Sequence, residues 1–459
     1  MCGTCPAGEA QVREDVQMTA TDRDPVSAAA LDSALTDARR RYVEANPVSA
    51  EWARRATEVL PGGNTRSVLH FDPFPFRVAS AEGKYLVDVD GHRYVDLLGN
   101  YTAGLLGHSP PTVRAAAHAA IDGGWALGAV HPNEVRLAEL VVARFPSIEQ
   151  VRFTNSGTEA NLMALALATN HTGRRKVLVF GGGYHGGVIT FAGHRTAGSD
   201  VNVPHDWVVS TYNDVAAVDE VFAREGDEIA AVLVEPLQGS AGCIPGDPDF
   251  LASLRQHCDE SAAVLIFDEV MTSRMSPGGA QALLAITPDI TTLGKYVAGG
   301  FTFGAFGGQR NLMASFDATA GGRLGHAGTF NNNVVSMAAG VASLTEVLTP
   351  EVLAATNTRG DRLRSALNAL FERRRLPMCV SGAGSLMNLH GTAGPVRSID
   401  DLLVSDDRWK ELLFFAALHA GFYVARRGFI ALSIEITDAD VAAFIDVVDT
   451  WASRMTAQV

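Results

Sequence analysis

The chain runs to 459 residues, enough for two or three domains and a large buried core. Its formal net charge of −14 excludes a global basic field for nucleic acid or an anionic membrane, and 47% hydrophobic with 19% charged residues is a globular composition. No stretch approaches the apolar length of a membrane span and the N-terminus lacks a basic-then-apolar leader, so the expected location is the cytoplasm.

Residues 1–28 are polar, mixed in charge and aperiodic, and read as a disordered or loose arm. Cys2-Gly3-Thr4-Cys5 has metal-ligand or redox spacing, but no second pair accompanies it, and five scattered cysteines fit reduced thiols. Leu31, Leu35 and Tyr42 fall near one face of a helix expected from about Ala29 to Glu44, stopped by Asn46-Pro47. Alternation from Tyr85 to Leu97 around Asp90-Gly91 predicts a β-hairpin, and residues 29–109 are assigned to part of a small domain.

From about residue 110 to 335 helices alternate with short apolar strands at Lys176–Phe180, Ala230–Val234, Ala263–Phe267 and Gly304–Gly307. That alternation predicts an α/β large domain with a mainly parallel sheet covered on both faces. Residues 336–459 predict a smaller α/β unit, with helices from Val334 to Leu348, Arg359 to Arg373 and Asp407 to His419 and strands at Ser385–His390 and Phe429–Ile434. Arg373-Arg374-Arg375 reads as a solvated helix end.

Three segments of the large domain carry chemistry. Arg152 to Asn161 runs as a short strand into Ser156-Gly157-Thr158 and then an Ala/Leu-rich helix, so free N–H groups and the helix dipole converge where a phosphate can sit. Ser156 with Glu159 is also an ordinary capping box, and both readings can hold together. The segment matches neither a Walker loop nor a Gly-x-Gly-x-x-Gly dinucleotide turn, which removes nucleotide binding. Ile266-Phe267-Asp268-Glu269-Val270 ends an apolar strand in a carboxylate, and Thr292-Leu293-Gly294-Lys295 ends another in an amine. Pyridoxal 5′-phosphate (PLP) needs such a pair: an amine to hold its aldehyde as a Schiff base and a carboxylate to keep its ring nitrogen protonated. In an open α/β sheet all three segments fall at the carboxyl ends of strands.

Asn155-Ser156-Gly157-Thr158-Glu159-Ala160, Gly183-Tyr184-His185-Gly186, Val234-Glu235-Pro236, Phe267-Asp268-Glu269-Val270, Thr292-Leu293-Gly294-Lys295 and Gly328-Thr329-Phe330-Asn331 occur in the order seen in class III, fold-type-I PLP aminotransferases. The resemblance covers about residue 45 to the C-terminus. Pro61-Gly62-Gly63-Asn64 and Gly304-Ala305-Phe306-Gly307-Gly308 resemble the glutamate-1-semialdehyde aminomutase branch. Asn64-Thr65-Arg66-Ser67-Val68, Gly328 to Asn333 and Arg427-Gly428-Phe429 resemble its β-amino-acid (β-phenylalanine) aminotransferases.

The resemblance implies that Lys295 is the Schiff-base lysine and proton-moving base, and that Asp268 pairs with the pyridine nitrogen. Tyr184 and Val270 would hold the two ring faces, with His185 beside them, and Ser156, Gly157 and Thr158 the phosphate. Thr329 would reach the phosphate bound by a neighbouring subunit, which implies a homodimer. Arg66 and Arg427 are the candidates for substrate carboxylates, since a guanidinium fork matches a carboxylate, although Arg426 leaves the second assignment open by one position.

Two departures bear on the reaction. Relatives that use glutamate often carry an acidic switch in Glu-Pro-x-x-Gly-Glu, whereas Gly239 is here followed by Ser240. The mutase branch tends to have Asn-Ser-Pro-Val-Arg where this chain has Asn64-Thr65-Arg66-Ser67-Val68, which moves an arginine. The expected reaction is transfer of the amino group of an aromatic or apolar β-amino acid to a 2-oxo acid such as 2-oxoglutarate. The alternatives are a 1,2-aminomutase and an arylglycine or ω-amine aminotransferase. A PLP-sensing transcription regulator would need a basic winged-helix domain, for which about 45 polar N-terminal residues are too few and too acidic. Phe71, Phe74, Phe76, Phe301 and Phe303 are candidates for a side-chain pocket, or for ordinary core.

Overall fold

The computed structural model describes residues 27–191 and 201–457. The loose-arm expectation for 1–28 and the Cys2/Cys5 pair therefore lie outside the described residues, except for Ser27 and Ala28. Ser27 accepts from Ala30 N and caps α1 (Ala28–Ala45), and Pro47 both follows its end and opens α2 (Pro47–Thr57).

The hairpin is present as β2 (Tyr85–Asp88) and β3 (Arg93–Asp96), extended on one side by β1 (Val78–Glu82). Next come α3 (Pro111–Asp122) and α4 (Pro132–Arg144), then β4 (Gln150–Thr154), α5 (Gly157–Thr172), β5 (Lys176–Phe180), β6 (Asp206–Ser210), α6 (Val215–Glu225) and β7 (Ile229–Val234). After the short β8 (Leu237–Gln238) and β9 (Ile244–Pro245) follow α7 (Pro248–Ser261), β10 (Val264–Asp268), α8 (Gly279–Leu284), β11 (Ile290–Gly294), β12 (Gly304–Gly308) and α9 (Arg310–Met313). Seven strands form one sheet in the order β4-β12-β11-β10-β7-β5-β6. It is parallel except for β12, which runs antiparallel to both neighbours. Its central strands are buried on both faces, which is why β7 and β10 read as continuous apolar runs.

The remaining elements are α10 (Val334–Ala342), α11 (Pro350–Arg374), β13 (Cys379–Ala383), β14 (Leu386–His390), α12 (Asp407–His419), β15 (Phe422–Tyr423), β16 (Phe429–Ala431) and α13 (Asp438–Ala457). Three boundaries correct the sequence reading. The helix from Val334 leaves α geometry at Ser343, whose Oγ donates to Ala339 O, and winds as a π-turn to Val347. Thr349 and Pro350 start α11 nine residues earlier than Arg359, and the last strand stops at Ala431. The arginine run does close α11, but Arg373 and Arg374 pair with Asp449 on α13.

Both chain ends share one apolar core: Leu31, Leu35 and Tyr42 pack with Leu363, Leu367, Phe414 and Phe444. Phe76 belongs to this core and Phe303 to another, Phe71 packs in the first core and also borders a cavity, and Phe301 is exposed. Among the described residues no single helix is long and apolar enough to cross a membrane.

Candidate active site

The parallel strands deliver their carboxyl ends to one place. β10 ends in Asp268, β11 hands on to Lys295, β4 leads into Ser156, β5 into the Tyr184 loop, and β7 into Glu235. Asp268 is 5% exposed. Its Oδ2 accepts from Asn161 Nδ2 at 2.9 Å and faces His185 Nδ1 at 2.9 Å, while Oδ1 accepts from Val270 N at 3.1 Å. Burial works to raise its pKa, but the hydrogen bond and charge of His185, the charge of Lys295 and the Val270 N–H outweigh it and hold the carboxyl below its ordinary value.

Lys295 follows its strand with a left-handed φ of 54°, a strained setting for a residue with a side chain. Burial pushes its amine below the usual lysine value, opposed by the charges of Asp268 and Glu235 and aided by that of Arg66. The amine is thereby readied to lose its proton.

Ser156 caps α5 by accepting from Glu159 N at 3.2 Å, which is one half of the expected capping box; its reciprocal bond, from the Ser156 backbone to the Glu159 side chain, does not form. Glu159, however, reaches past Ser156 to Asn155 N at 2.8 Å, which leaves the N–H groups of the first turn facing outward to the site. The turn is packed to its limit. A Cβ at Gly157 would lie 2.8 Å from Val270 Cγ2, and one at Gly186 only 2.3 Å from Thr158 Oγ1. Val270, Gly157 and Gly294 therefore touch, and the Tyr184-His185-Gly186 loop lies against Thr158.

Tyr184 is 46% exposed, so it is no core aromatic, and its backbone N donates to Glu235 Oε2 at 3.0 Å. Thr329 is exposed, on a segment tied to the start of the phosphate turn by Asn155 Nδ2, which donates to Asn331 Oδ1 at 2.9 Å. Arg66 Nη1 donates to Asn100 Oδ1 at 2.7 Å, and the Cζ atoms of Arg66 and Arg427 lie 5.9 and 4.9 Å from the centroid of Tyr101. The two neighbouring arginines differ in their partners: Arg426 is paired with Glu411 at 2.8 Å, whereas Arg427 keeps a buried Nε without one. Arg427, Tyr101, Phe71, Phe414 and Tyr423 line a cavity of about 360 Å³.

Sequence reasoning missed Asn161. It donates to Asp268 Oδ2 and to His185 O and accepts from Thr292 Oγ1 at 2.8 Å, which fixes the carboxylate. Its signal was an amide in the apolar first half of an Ala/Leu-rich helix. Glu235 carried no assigned role, yet it accepts from Tyr184 N and Gly239 N and is buried, which raises its pKa. Asn100 and Tyr101 were missed as well.

A mostly parallel sheet with an amine, a ring-facing carboxylate and a helix-start phosphate cradle at its carboxyl edge defines a fold-type-I PLP-dependent transferase. The residues fit that cofactor: Oδ2 of Asp268 is saturated by two partners, and Oδ1, with one, retains a lone pair for a ring N–H. Residues 69–393 match the family model for class-III aminotransferases, and the chain belongs to that family. It is a PLP-dependent transaminase, acting on an amino donor and a keto acid.

Among curated relatives, a β-phenylalanine transaminase of Variovorax paradoxus is 50% identical over 423 residues, covering 92% of this chain and 96% of that one. A glutamate-1-semialdehyde 2,1-aminomutase of Nitratidesulfovibrio vulgaris is 38% identical over 415 residues, covering 87% and 97%. The solved structure of a β-phenylalanine aminotransferase from Variovorax paradoxus superposes with a TM-score of 0.91 at 50% identity, covering 93% of this chain and 98% of that one.

Proposed function

We propose that the enzyme transfers the amino group of an aromatic or apolar β-amino acid to a 2-oxo acid such as 2-oxoglutarate. The observation that carries the reading is the Arg66–Arg427 pair on Tyr101, beside an aromatic-lined cavity. The similarity to β-phenylalanine transaminase supports it.

PLP, when bound, supplies the electron sink for a substrate carbanion. Lys295 Nζ would hold its aldehyde and, once free, would move the proton from the substrate carbon to the cofactor carbon that had carried the aldehyde. Asp268, kept ionised, holds the ring proton, and His185 and Asn161 keep its carboxylate in place. Val270 would press one ring face and Tyr184 would cover the other, while Ser156, Gly157 and Thr158 would offer N–H and hydroxyl groups to the phosphate. Arg66, with Arg427 beside it, fixes the carboxylate of the donor and, in turn, that of the acceptor. A β-amino acid has one more carbon between amine and carboxylate than an α-amino acid, so an anchor at one distance presents one of the two C–H bonds to Lys295.

In this reading Thr329 reaches the phosphate of a second subunit. Support comes from exposed apolar residues, Trp125, Leu127 and Val130 after α3 and Phe330 before α10, since α3 and α10 pack together. A homodimer in the cytoplasm follows, with a large unit of residues 110–335 and a smaller unit built from both chain ends.

The test is a donor panel of 3-amino-3-phenylpropanoate, phenylalanine and 1-phenylethylamine, with product formation from 2-oxoglutarate as readout. The β-amino acid is expected to give the highest kcat/KM. A preference for the α-amino acid defeats the β-specific reading, and borohydride labelling of any lysine but Lys295 defeats the catalytic assignment.

A further inference from the structure

Gly99, Asn100, Tyr101 and Thr102 follow one another with φ of 54°, 47°, 51° and 80°. Only glycine takes this left-handed conformation freely, and asparagine tolerates it. Tyrosine and threonine pay for it, so three consecutive residues with side chains store strain that the surroundings must impose. Asp96 Oδ1 accepts from Leu98 N at 2.9 Å and Gly99 N at 3.0 Å, Gly104 N donates to Gly99 O at 2.8 Å, and Tyr101 OH donates to Val68 O at 3.0 Å. Thr102 is completely buried beneath.

The turn presents two side chains to the two arginines. Asn100 accepts from Arg66, and the ring of Tyr101 stands within cation–π range of both guanidiniums. Among the described residues neither arginine has a carboxylate within ion-pair distance, in contrast to Arg426 with its Glu411. Two like charges converge on one ring with neutral groups alone to offset their repulsion. An acidic neighbour would stabilise them more strongly but would also compete with an incoming carboxylate.

Resting on the reading above, we propose that Tyr101 and Asn100 are positioning residues that hold Arg66 and Arg427 as one pair supported by neutral groups. The pair then stays open to the carboxylate of the donor and, in turn, of the acceptor. The strained backbone is what aims both side chains at once.

Three variants separate the parts. Tyr101→Leu removes the ring, Tyr101→Phe keeps it, and Asn100→Gly deletes the amide while accepting the left-handed backbone. The measurements are single-turnover rates with 3-amino-3-phenylpropanoate and with 1-phenylethylamine, and the Kd of the unreactive 3-phenylpropanoate by calorimetry on cofactor-loaded enzyme. Tyr101→Leu is expected to weaken 3-phenylpropanoate and the rate with the β-amino acid about tenfold or more, with 1-phenylethylamine changed less than about twofold. Tyr101→Phe should recover most of the loss, and Asn100→Gly should show a smaller loss with the same selectivity.

An unchanged Kd in Tyr101→Leu, or an equal loss with 1-phenylethylamine, overturns the proposal. If that variant does not fold, an unchanged Kd in Asn100→Gly overturns it instead. A wild type that prefers phenylalanine defeats the β-specific reading separately, since the carboxylate Kd still reports on Tyr101.

Discussion

The floor and the wall of the site are built on opposite principles. On the floor, Asp268 is buried and bonded to His185, Asn161 and Val270, Asn161 uses donor and acceptor alike, and Val270 is wedged against Gly157 and Gly294. On the wall, Arg66 is exposed, Arg427 keeps a buried Nε without a partner, and both rest on a strained turn. The difference follows from what each must meet. The same cofactor ring returns in every half-reaction, so its groups can be satisfied in advance. The wall meets two substrates in turn, so it keeps donors in reserve.

The comparison breaks most visibly on the floor. Asp268→Asn should leave folding nearly intact, because an amide can still bond to His185 and Val270 N, but a neutral group cannot hold the ring proton. Turnover is expected to fall roughly 10³–10⁴-fold, about 4–5 kcal/mol. Near-normal kcat in a cofactor-loaded variant would remove Asp268 from the mechanism. On the wall the loss should be selective: Arg66→Ala is expected to cost roughly 2–4 kcal/mol in kcat/KM for 3-amino-3-phenylpropanoate and little in the half-reaction of 1-phenylethylamine. A uniform loss across donors would make Arg66 part of the floor.

A smaller effect is expected from packing. Gly157→Ala places a methyl 2.8 Å from Val270 Cγ2. Overpacking costs about 1–3 kcal/mol, so PLP titrated into apoenzyme should bind roughly ten to a hundred times more weakly. Val270→Ala in the same chain should return part of that affinity, a non-additive pair. If the double variant loses more than either single one, the contact does not govern the cradle.

The floor was legible in the sequence because each of its parts is local. A strand, a turn and a capped helix run from Arg152 to Asn161, and apolar strands end in Asp268 and lead to Lys295. Strand direction was not: Gly304–Gly308 has the composition of its parallel neighbours, and only its pairing with β11 and β4 makes it antiparallel. The early start of α11 was hidden by Thr356, Asn357 and Thr358, weak helix formers overridden by Pro350 at its first turn. The wall was mostly illegible. Arg426 and Arg427 are alike in sequence, and what separates them is Glu411 on α12. Gly99-Asn100 permits a left-handed turn, but nothing in Tyr101-Thr102 announces that it continues.

The last contrast sets two buried histidines against each other. His185 faces a carboxylate, whereas His390 on β14 faces only Ser381 Oγ at 2.7 Å and Gly242 O at 3.1 Å. Burial lowers the His390 pKa from 6.5 to about 4, helped by the charge of Lys410 and opposed by the Gly242 carbonyl. The folded value lies below the unfolded one, so between pH 6.5 and about 4 the unfolded chain binds a proton that the native one refuses. Stability therefore falls as the pH is lowered through that window, by up to about 3 kcal/mol from this residue. His390→Gln keeps a polar group there and removes the titration, so its loss of Tm between pH 7 and pH 4 should be smaller than that of wild type. An equal loss in both proteins would assign the acid sensitivity to other groups.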